Sequence, residues 1–274
     1  MKTNWIKPVA LILLLTACSK VPITNRKQMN LIPESELVSM SLTEYQSFLK
    51  KNPPVTGTSD ANMVKSVGAR IQNAVTQFMN QHKMGSRISG YKWEFNLVNS
   101  NDVNAWCMPG GKVVVYSGLL PVTQDESSLA IVMGHEIAHA VARHGNERMS
   151  QGLLAQAGGV ALDVALANKS AETRNIFLTS YGVGSTLGVL AYSRNQESEA
   201  DKLGLVFAAM AGYDPQNAIA FWQRMAQKSG GGGTPVLLRT HPSDQQRIKD
   251  LQAFMPEAKK YYKGKSTTTK SNSR

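Results

Sequence analysis

The chain is short of cysteine and of long apolar runs, and its carboxyl end lacks acidic residues. Two cysteines in 274 residues exclude a disulfide-dense scaffold and a cysteine-rich zinc finger. No uninterrupted apolar stretch reaches the roughly 18 residues that a transmembrane helix needs, which excludes a polytopic membrane protein. With 42% hydrophobic and 18% charged residues, the composition predicts a globular protein with a sizeable core.

The positive charge of the chain is concentrated near its ends. Thirty basic and 19 acidic residues give a net charge of +11, and six of the bases follow Glu257, after which no acid occurs. The segment 257–274 is therefore predicted to be a disordered basic tail. Our first interpretation is a solvated tail, and the second is contact with an anionic envelope surface. We predict no nucleic-acid partner because no binding motif accompanies the charge.

Residues 1–17 have the pattern of a secretory signal peptide. Two lysines precede a short apolar run at residues 9–15, which is too short for a permanent membrane span. The letters LTAC at residues 15–18 resemble a bacterial lipobox, so Cys18 is predicted to carry lipid and to anchor the protein in the membrane. Ser19 occupies the position directly after this cysteine. In the usual Gram-negative sorting pattern, Asp at this position retains a lipoprotein at the inner membrane. This favours the periplasmic face of the outer membrane.

The remaining chain is predicted to divide into three segments. A lipid-anchored tether with an N-terminal helix covers residues 18–59, and a mainly helical α+β domain covers residues 60–256, before the basic tail. Within the domain, Asp60 is expected to cap a helix that reaches about His82, and alternating residues predict strands near 93–97 and 112–117. Lipidation of Cys18 would leave Cys107 as the single thiol, and we expect it to be buried.

A strongly signalled helix follows Thr123. Thr123 and Glu126 form a potential capping box, and Gly145 is expected to follow the end of the helix. Later helices are expected near 153–167, 176–191, 195–211, 214–228 and 243–254, with a glycine-rich loop at 229–234.

The letters HEIAH at residues 135–139 carry the clearest chemical signal. His135 and His139 are four residues apart and share one face of the predicted helix, so both imidazoles can bind one metal ion. Glu136 lies about 100° round the helix, beside that face. It can hold a metal-bound water and accept its proton. The competing interpretation is a structural helix with two ordinary histidines.

The third metal ligand has to come from another part of the chain. A metzincin site needs Gly at position 142 and His at position 145, and the sequence has Ala142 and Gly145 there. His144 is five residues after His139, which rotates it off the metal-facing side, so we interpret it as a structural residue or as a partner of a ligand.

Acidic residues at 197–201 offer the better candidates for the third ligand. A helix there places Glu197 and Asp201 on one face. Glu197 can then bind the metal while Asp201 orients a ligand histidine, since ligating histidines usually need such a partner. On spacing alone, Glu199 is an equal contender.

HEIAH followed by the pattern S-R-x-x-E-x-x-A-D at residues 193–201 resembles the HExxH zinc metallopeptidases that include HtpX and the CAAX prenyl endopeptidases. The chain is most similar to their periplasmic lipoprotein members such as LoiP, over roughly residues 101–251. The resemblance implies a gluzincin-like domain with a small sheet beside the active-site helix, and one zinc ion per chain. It assigns the metal ligands to His135, His139 and Glu197, and the base to Glu136.

The resemblance also implies roles for residues around the zinc. Asp201, Arg194 and His144 are expected to support the ligands. His241 is expected either to stabilise the oxyanion or to occupy the open position of the metal at rest. The substrate is expected to lie extended along an exposed strand edge and to form backbone hydrogen bonds with it. The expected substrate-binding residues are Asn104, Ala105, Val113, Val114 and Val115.

These observations predict a zinc-dependent endopeptidase anchored in the bacterial envelope. Its expected substrates are unfolded or misassembled envelope proteins, hydrolysed by a zinc-bound water that Glu136 activates. The alternative is a chaperone-like outer-membrane assembly factor whose zinc site is latched or weakly active. Retention of Glu136 favours catalysis.

Overall fold

A computed structural model describes residues 18–157, 171–181, 192–228, 234–241 and 245–264. The predicted signal peptide, most of the segments predicted as helices near 153–167 and 176–191, residues 229–233 of the predicted glycine-rich loop and the last ten residues lie outside this part of the chain. The strands are β1 (Cys18–Lys20), β2 (Lys27–Met29), β3 (Glu94–Val98), β4 (Ala105–Met108) and β5 (Lys112–Tyr116). The helices are α1 (Glu34–Lys51), α2 (Ser59–Gln81), α3 (Leu120–Thr123), α4 (Glu126–Val141), α5 (His144–Ala157), α6 (Ala171–Ser180), α7 (Arg194–Met210), α8 (Asn217–Lys228), α9 (Val236–Thr240) and α10 (Gln245–Lys259).

The predicted α+β, mainly helical class is confirmed, and α4 lies at the centre of the core. Every residue of α4 from Ser128 to Val141 is buried, because α2, α7, α8 and the sheet all pack around it. The approach to α7 is closest at Gly134 and Gly204. A methyl group on Gly204 would lie 2.8 Å from the backbone nitrogen of His135. Glycine at this crossing therefore allows the backbones of α4 and α7 to pack closely together. Among the described helices, none is both long and apolar enough to cross a bilayer.

The sheet beside α4 has the order β3-β5-β4, with β5 parallel to β3 and antiparallel to β4. Val113 and Val115 join the core around α4, and Val114 faces a second cluster that includes residues of α1. The prediction that Val113, Val114 and Val115 form an exposed substrate edge is therefore wrong, because β5 is hydrogen-bonded on both sides. The strand β4 was not predicted. Its four residues are buried on both faces, so they lack the alternation that reveals a strand.

The segment predicted as a polar tether is folded against the domain. Residues 18–29 form an antiparallel hairpin, β1–β2, with Ile23 and Asn25 at positive φ in its turn. Val21 and Gln28 are buried. Burial of these side chains opposes free motion, so the tether prediction is wrong for this stretch. The N-terminal helix predicted within residues 18–59 is present as α1.

Two helix starts differ from their predictions. The Thr58 side chain, and not that of Asp60, accepts the capping hydrogen bond at α2, from the backbone nitrogen of Ala61. At α4 the cap is Asp125, which accepts from the Ser128 nitrogen at 2.7 Å. Both Thr58 and Asp125 have the extended backbone typical of an N-cap. Asp60 already lies inside the first turn of α2, and Thr123 still belongs to α3, so neither is the residue that flanks the helix start.

Two helix ends also differ. The chain leaves α4 through Arg143 at φ 63°, and Gly145 lies inside α5, where its missing side chain makes room for the Tyr181 ring. At the carboxyl end, α10 continues to Lys259 with Ala258 buried. The predicted disordered tail is therefore wrong for residues 257–259, which are helical.

Candidate metal centre

Four buried side chains converge at the centre of the domain. His135 and His139 project from α4, Glu197 from the first turn of α7, and His241 follows α9 directly. One potential ligand atom from each lies within 4.8 Å of all the others. Three imidazoles and one carboxylate suit zinc, so the donor set fits a single zinc ion.

The individual distances show how tightly this cluster is drawn together. His139 Nε2 lies 3.1 Å from His135 Nε2 and 3.2 Å from Glu197 Oε1. His241 Nδ1 lies 2.9 Å from the same Glu197 oxygen and 3.2 Å from His135 Nε2. His241 is therefore a member of the cluster, and not only a residue of a nearby loop.

The electrostatics of the cluster favour a cation. Burial alone would raise the pKa of Glu197, but the charges of His241, Arg247 and His135 hold it well below its usual range. Burial lowers the pKa of His139 far below that of a free imidazole. An ionised carboxylate and a neutral imidazole are the forms that bind a metal. At His135 burial lowers the pKa, but Glu197 and Asp201 outweigh it and raise the pKa to about 9.

His135 is oriented by a buried ion pair. Its Nδ1 lies 3.0 Å from Asp201 Oδ1, so Nδ1 can donate to the carboxylate while Nε2 faces the cluster. Arg247 donates to both Asp201 oxygens, at 2.8 and 2.7 Å. The guanidinium of Arg247 also lies 3.4 Å from the centre of the Trp222 ring. These contacts fix Asp201 and, through it, the plane of the His135 ring.

His139 is oriented by a second imidazole. Its Nδ1 lies 3.0 Å from His144 Nδ1, and His144 Nε2 lies 3.1 Å from Glu199 Oε2. If His139 Nε2 faces a metal, its Nδ1 carries a proton and donates to His144, which then donates through Nε2 to Glu199. Burial lowers the pKa of His144, which supports the neutral form that this arrangement requires. Tyr192 packs against the His139 ring, with 3.9 Å between ring centres.

Glu136 is positioned for chemistry beside the cluster. It is buried, and its Oε1 lies 3.5 Å from His241 Nε2. Among the described residues this oxygen has no hydrogen-bond partner. Burial raises the pKa of Glu136, which brings the carboxylate closer to the basicity that a proton acceptor needs at neutral pH. The site thus combines a set of metal ligands with a neighbouring carboxylate oxygen that has no hydrogen-bond partner among the described residues.

A family model for peptidase family M48 matches residues 66–255. The chain belongs to this family. The prediction of an HExxH metallopeptidase family is thereby confirmed. M48 peptidases depend on zinc, so zinc is the metal that the four-residue cluster accommodates.

Named relatives of this M48 chain come from mitochondria and from bacteria. Mitochondrial metalloendopeptidase OMA1 of Schizosaccharomyces pombe is 37% identical over 177 residues, which are 63% of this chain and 50% of the relative. The OMA1 of Bos taurus is 33% identical over 249 residues, 87% of this chain and 46% of the relative. The beta-barrel assembly-enhancing protease of Yersinia pestis is 34% identical over 164 residues, 58% of this chain and 34% of the relative. The chain thus spans half or less of the length of these relatives. The narrower likeness to HtpX, the CAAX prenyl endopeptidases and LoiP stays a prediction.

The M48 fold brings most of the predicted site residues together. His135, Glu136, His139, Glu197 and His241 meet at the cluster, and Asp201 and His144 each contact one histidine ligand. The spacing alone allowed Glu199 as a ligand, but its carboxylate faces His144. Arg194 is exposed on the first turn of α7, where it lines a groove of about 270 Å³ with Tyr192 and Arg247.

The remaining predicted residues and the missed ones lie around this core of the site. Asn104 is buried and accepts a backbone hydrogen bond from Tyr116, and Ala105 begins the edge strand β4. Cys107 is buried as predicted, and burial raises its pKa well above that of a free thiol. Sequence reasoning missed Tyr192 and Trp222. No motif marked either aromatic residue, and only their packing against the histidines reveals them.

Proposed function

We propose that this chain is a zinc-dependent metalloendopeptidase of the bacterial envelope that cleaves unfolded or misassembled proteins. The observation that carries the proposal is the buried Glu136 carboxylate beside the cluster of His135, His139, Glu197 and His241. One of its oxygens has no hydrogen-bond partner among the described residues. The M48 match and the name metalloendopeptidase of the OMA1 relatives support the reaction class.

The proposed mechanism assigns a role to each side chain. His135, His139 and Glu197 would hold zinc, which supplies Lewis-acid chemistry that polarises a carbonyl and acidifies a water. Glu136 takes a proton from the attacking water as the new carbon–oxygen bond forms. It then returns that proton to the leaving nitrogen as the carbon–nitrogen bond breaks. Its burial favours this exchange, because a carboxylate with a raised pKa both accepts and releases a proton near neutral pH.

The envelope location is part of the proposal. Its support is the signal-peptide and lipobox pattern that ends at Cys18, together with the relatives named beta-barrel assembly-enhancing protease. Under this proposal the chain is a lipoprotein on the periplasmic face of the outer membrane, as in the LoiP-like subgroup. We further propose that the basic tail contacts an anionic surface of the envelope.

The proposed substrate contact moves from β5 to β4. An extended peptide can add only to a strand edge that is free, and β5 has none. Asn104 directly precedes Ala105, the first residue of β4, and among the described residues no strand pairs with the outer side of β4. The four residues of β4 are buried, so a peptide can pair there only after this edge is uncovered. Backbone pairing there would select unfolded chains over any fixed side-chain sequence.

A second candidate function follows from the position of His241. Its Nδ1 lies 2.9 Å from Glu197 and its ring is stacked near Tyr192, with 5.0 Å between ring centres. In this place His241 would fill the position that a catalytic zinc keeps open. A latched centre of this kind suits a chaperone-like assembly factor with weak peptidase activity.

Casein cleavage by the zinc-loaded chain, measured beside Glu136→Gln, tests the proposal. We expect the parent to cleave and Glu136→Gln to lose activity by about 10²- to 10⁴-fold while it keeps its zinc. Equal cleavage by both proteins would contradict the assignment of the base.

His241→Ala separates the two candidate functions. A rise in casein cleavage would identify His241 as a latch, and a fall would identify it as a group that stabilises the oxyanion. If neither the parent nor His241→Ala cleaves casein although both bind zinc, the assembly-factor function is favoured.

A further inference from the structure

The series of contacts behind His139 continues to the N-terminal hairpin. Arg26 Nε donates to Glu199 Oε1 at 2.9 Å and Arg26 Nη2 donates to Oε2 at 3.0 Å. Thr24 Oγ1 also donates to Glu199 Oε1, at 2.7 Å. With His144 on Oε2, three side chains therefore hold this one carboxylate from different directions.

Arg26 also ties α5 to the start of α7. It donates to both oxygens of Glu147, at 2.7 and 2.8 Å. Gln196 donates to Glu147 as well, at 2.8 Å, and forms the capping box of α7 with Ser193. Glu197 is the next residue of this first turn. One guanidinium thus links Glu147 on α5 to Glu199 on α7, the helix that also supplies Glu197.

The same hairpin holds the end of α4, the helix that carries both histidine ligands. Gln28 donates to the backbone oxygen of Ala142 at 2.8 Å. Arg87 donates to the oxygens of Val141, at 3.1 Å, and of Lys20, at 2.6 Å. The last carbonyl groups of a helix have no partner within it, and a cation there complements the helix dipole. These contacts fix α4 against the hairpin.

We propose that the hairpin β1–β2 is a part of the metal centre, in which Arg26 and Thr24 are positioning residues that set zinc affinity through Glu199, His144 and His139. The inference rests on the metal site described above. Glu199 can hold His144 in the orientation that accepts the proton of His139 Nδ1 only if Glu199 itself is fixed. Outer partners of ligand histidines commonly change metal affinity by about 10- to 100-fold. Because Arg26 acts through two further residues, its effect is smaller than that of Glu199.

Zinc affinity, measured by competition with a chelator in the full-length chain, tests the inference. We expect Glu199→Ala to weaken zinc binding by about tenfold, and Arg26→Met to weaken it in the same direction by about threefold. The visible spectrum of the Co²⁺-loaded protein should shift in both variants, since it reports ligand geometry. Thr24→Val, which removes a single hydrogen bond, gives a milder variant if Arg26→Met does not fold.

Arg174→Met is the matched control. Arg174 forms a two-point pair with Glu44, at 2.6 and 2.7 Å, which also links distant segments but lies outside the metal site. We expect this variant to keep the zinc affinity and the Co²⁺ spectrum of the parent. If Arg26→Met, Thr24→Val and Arg174→Met all match the parent in both measurements, the hairpin is a structural strap and the inference is wrong. A parent chain that takes up no zinc would overturn the metal site itself.

Discussion

The two histidines on α4 are held in different ways. His135 is backed by Asp201, whose charge is matched by the buried Arg247. His139 is backed by a neutral imidazole, and the matching charges lie further out, at Glu199 and at Arg26, which is partly exposed. Removing one partner of a buried ion pair leaves an uncompensated charge, which costs far more than loss of a neutral hydrogen bond. The His135 side is therefore the rigid side of the centre, and the His139 side is the adjustable one.

Arg247→Met should break the rigid side and give the largest effect. Arg247 ion-pairs with Asp201 and with Glu197, at 2.7 and 3.1 Å, and its loss would leave two buried carboxylates. We expect the free energy of unfolding of the metal-free protein to fall by about 3–5 kcal/mol. Urea denaturation measures this change. The control Arg174→Met removes a pair whose arginine is half exposed and should cost about 1 kcal/mol or less. Similar losses in both variants would contradict the difference between the two sides.

Gly204→Ala should disturb both sides together by forcing α7 away from α4. The added methyl group would meet the backbone of His135 at 2.8 Å, and such overpacking costs about 1–3 kcal/mol. We expect a lower free energy of unfolding and weaker zinc binding, since Glu197 and Asp201 would both move. Gly90→Ala is the control, because no atom lies within 4 Å of the added carbon. Unchanged zinc affinity in Gly204→Ala would show that the helix spacing does not set the site.

Tyr192→Phe should change only the adjustable side and give the smallest effect. The variant keeps the ring beside His139 but loses the hydrogen bond from the Tyr192 hydroxyl to the Ser180 oxygen, at 3.2 Å. We expect the free energy of unfolding to fall by about 0.5–1.5 kcal/mol, with zinc affinity close to that of the parent. A tenfold weaker zinc affinity would show that the hydroxyl, and not the ring, orients His139.

Local rules of helix geometry predicted His135 and Asp201 of the rigid side from sequence, but not the role of Arg247. The spacing of His135 and His139 places both on one face of α4, and the same rule places Asp201 one turn after Glu197 on α7. Ligand and supporting carboxylate therefore come from one short stretch of sequence. The choice of Glu197 over Glu199 came from the family resemblance, since spacing alone left both open.

The adjustable side depends on contacts between residues that are far apart in sequence. Arg26 and Glu199 are 173 residues apart. The segment that carries Arg26 was predicted to be a tether because no nearby part of the sequence indicates these distant partners. The strand β5 was predicted close to its observed bounds, but the prediction that it forms an exposed edge failed for a related reason. Its neighbour β4 is short and buried on both faces, so nothing in the sequence indicated that a strand would cover the free side of β5.

Zinc stoichiometry tests the central claim most directly. The purified parent, Glu136→Gln and His139→Ala proteins would be loaded with zinc, passed over a desalting column and assayed for bound metal, with circular dichroism to confirm folding. We predict one zinc per chain in the parent and in Glu136→Gln, and none in folded His139→Ala. Zinc retained by His139→Ala at the parent level would contradict the metal centre, as would its loss from folded Glu136→Gln.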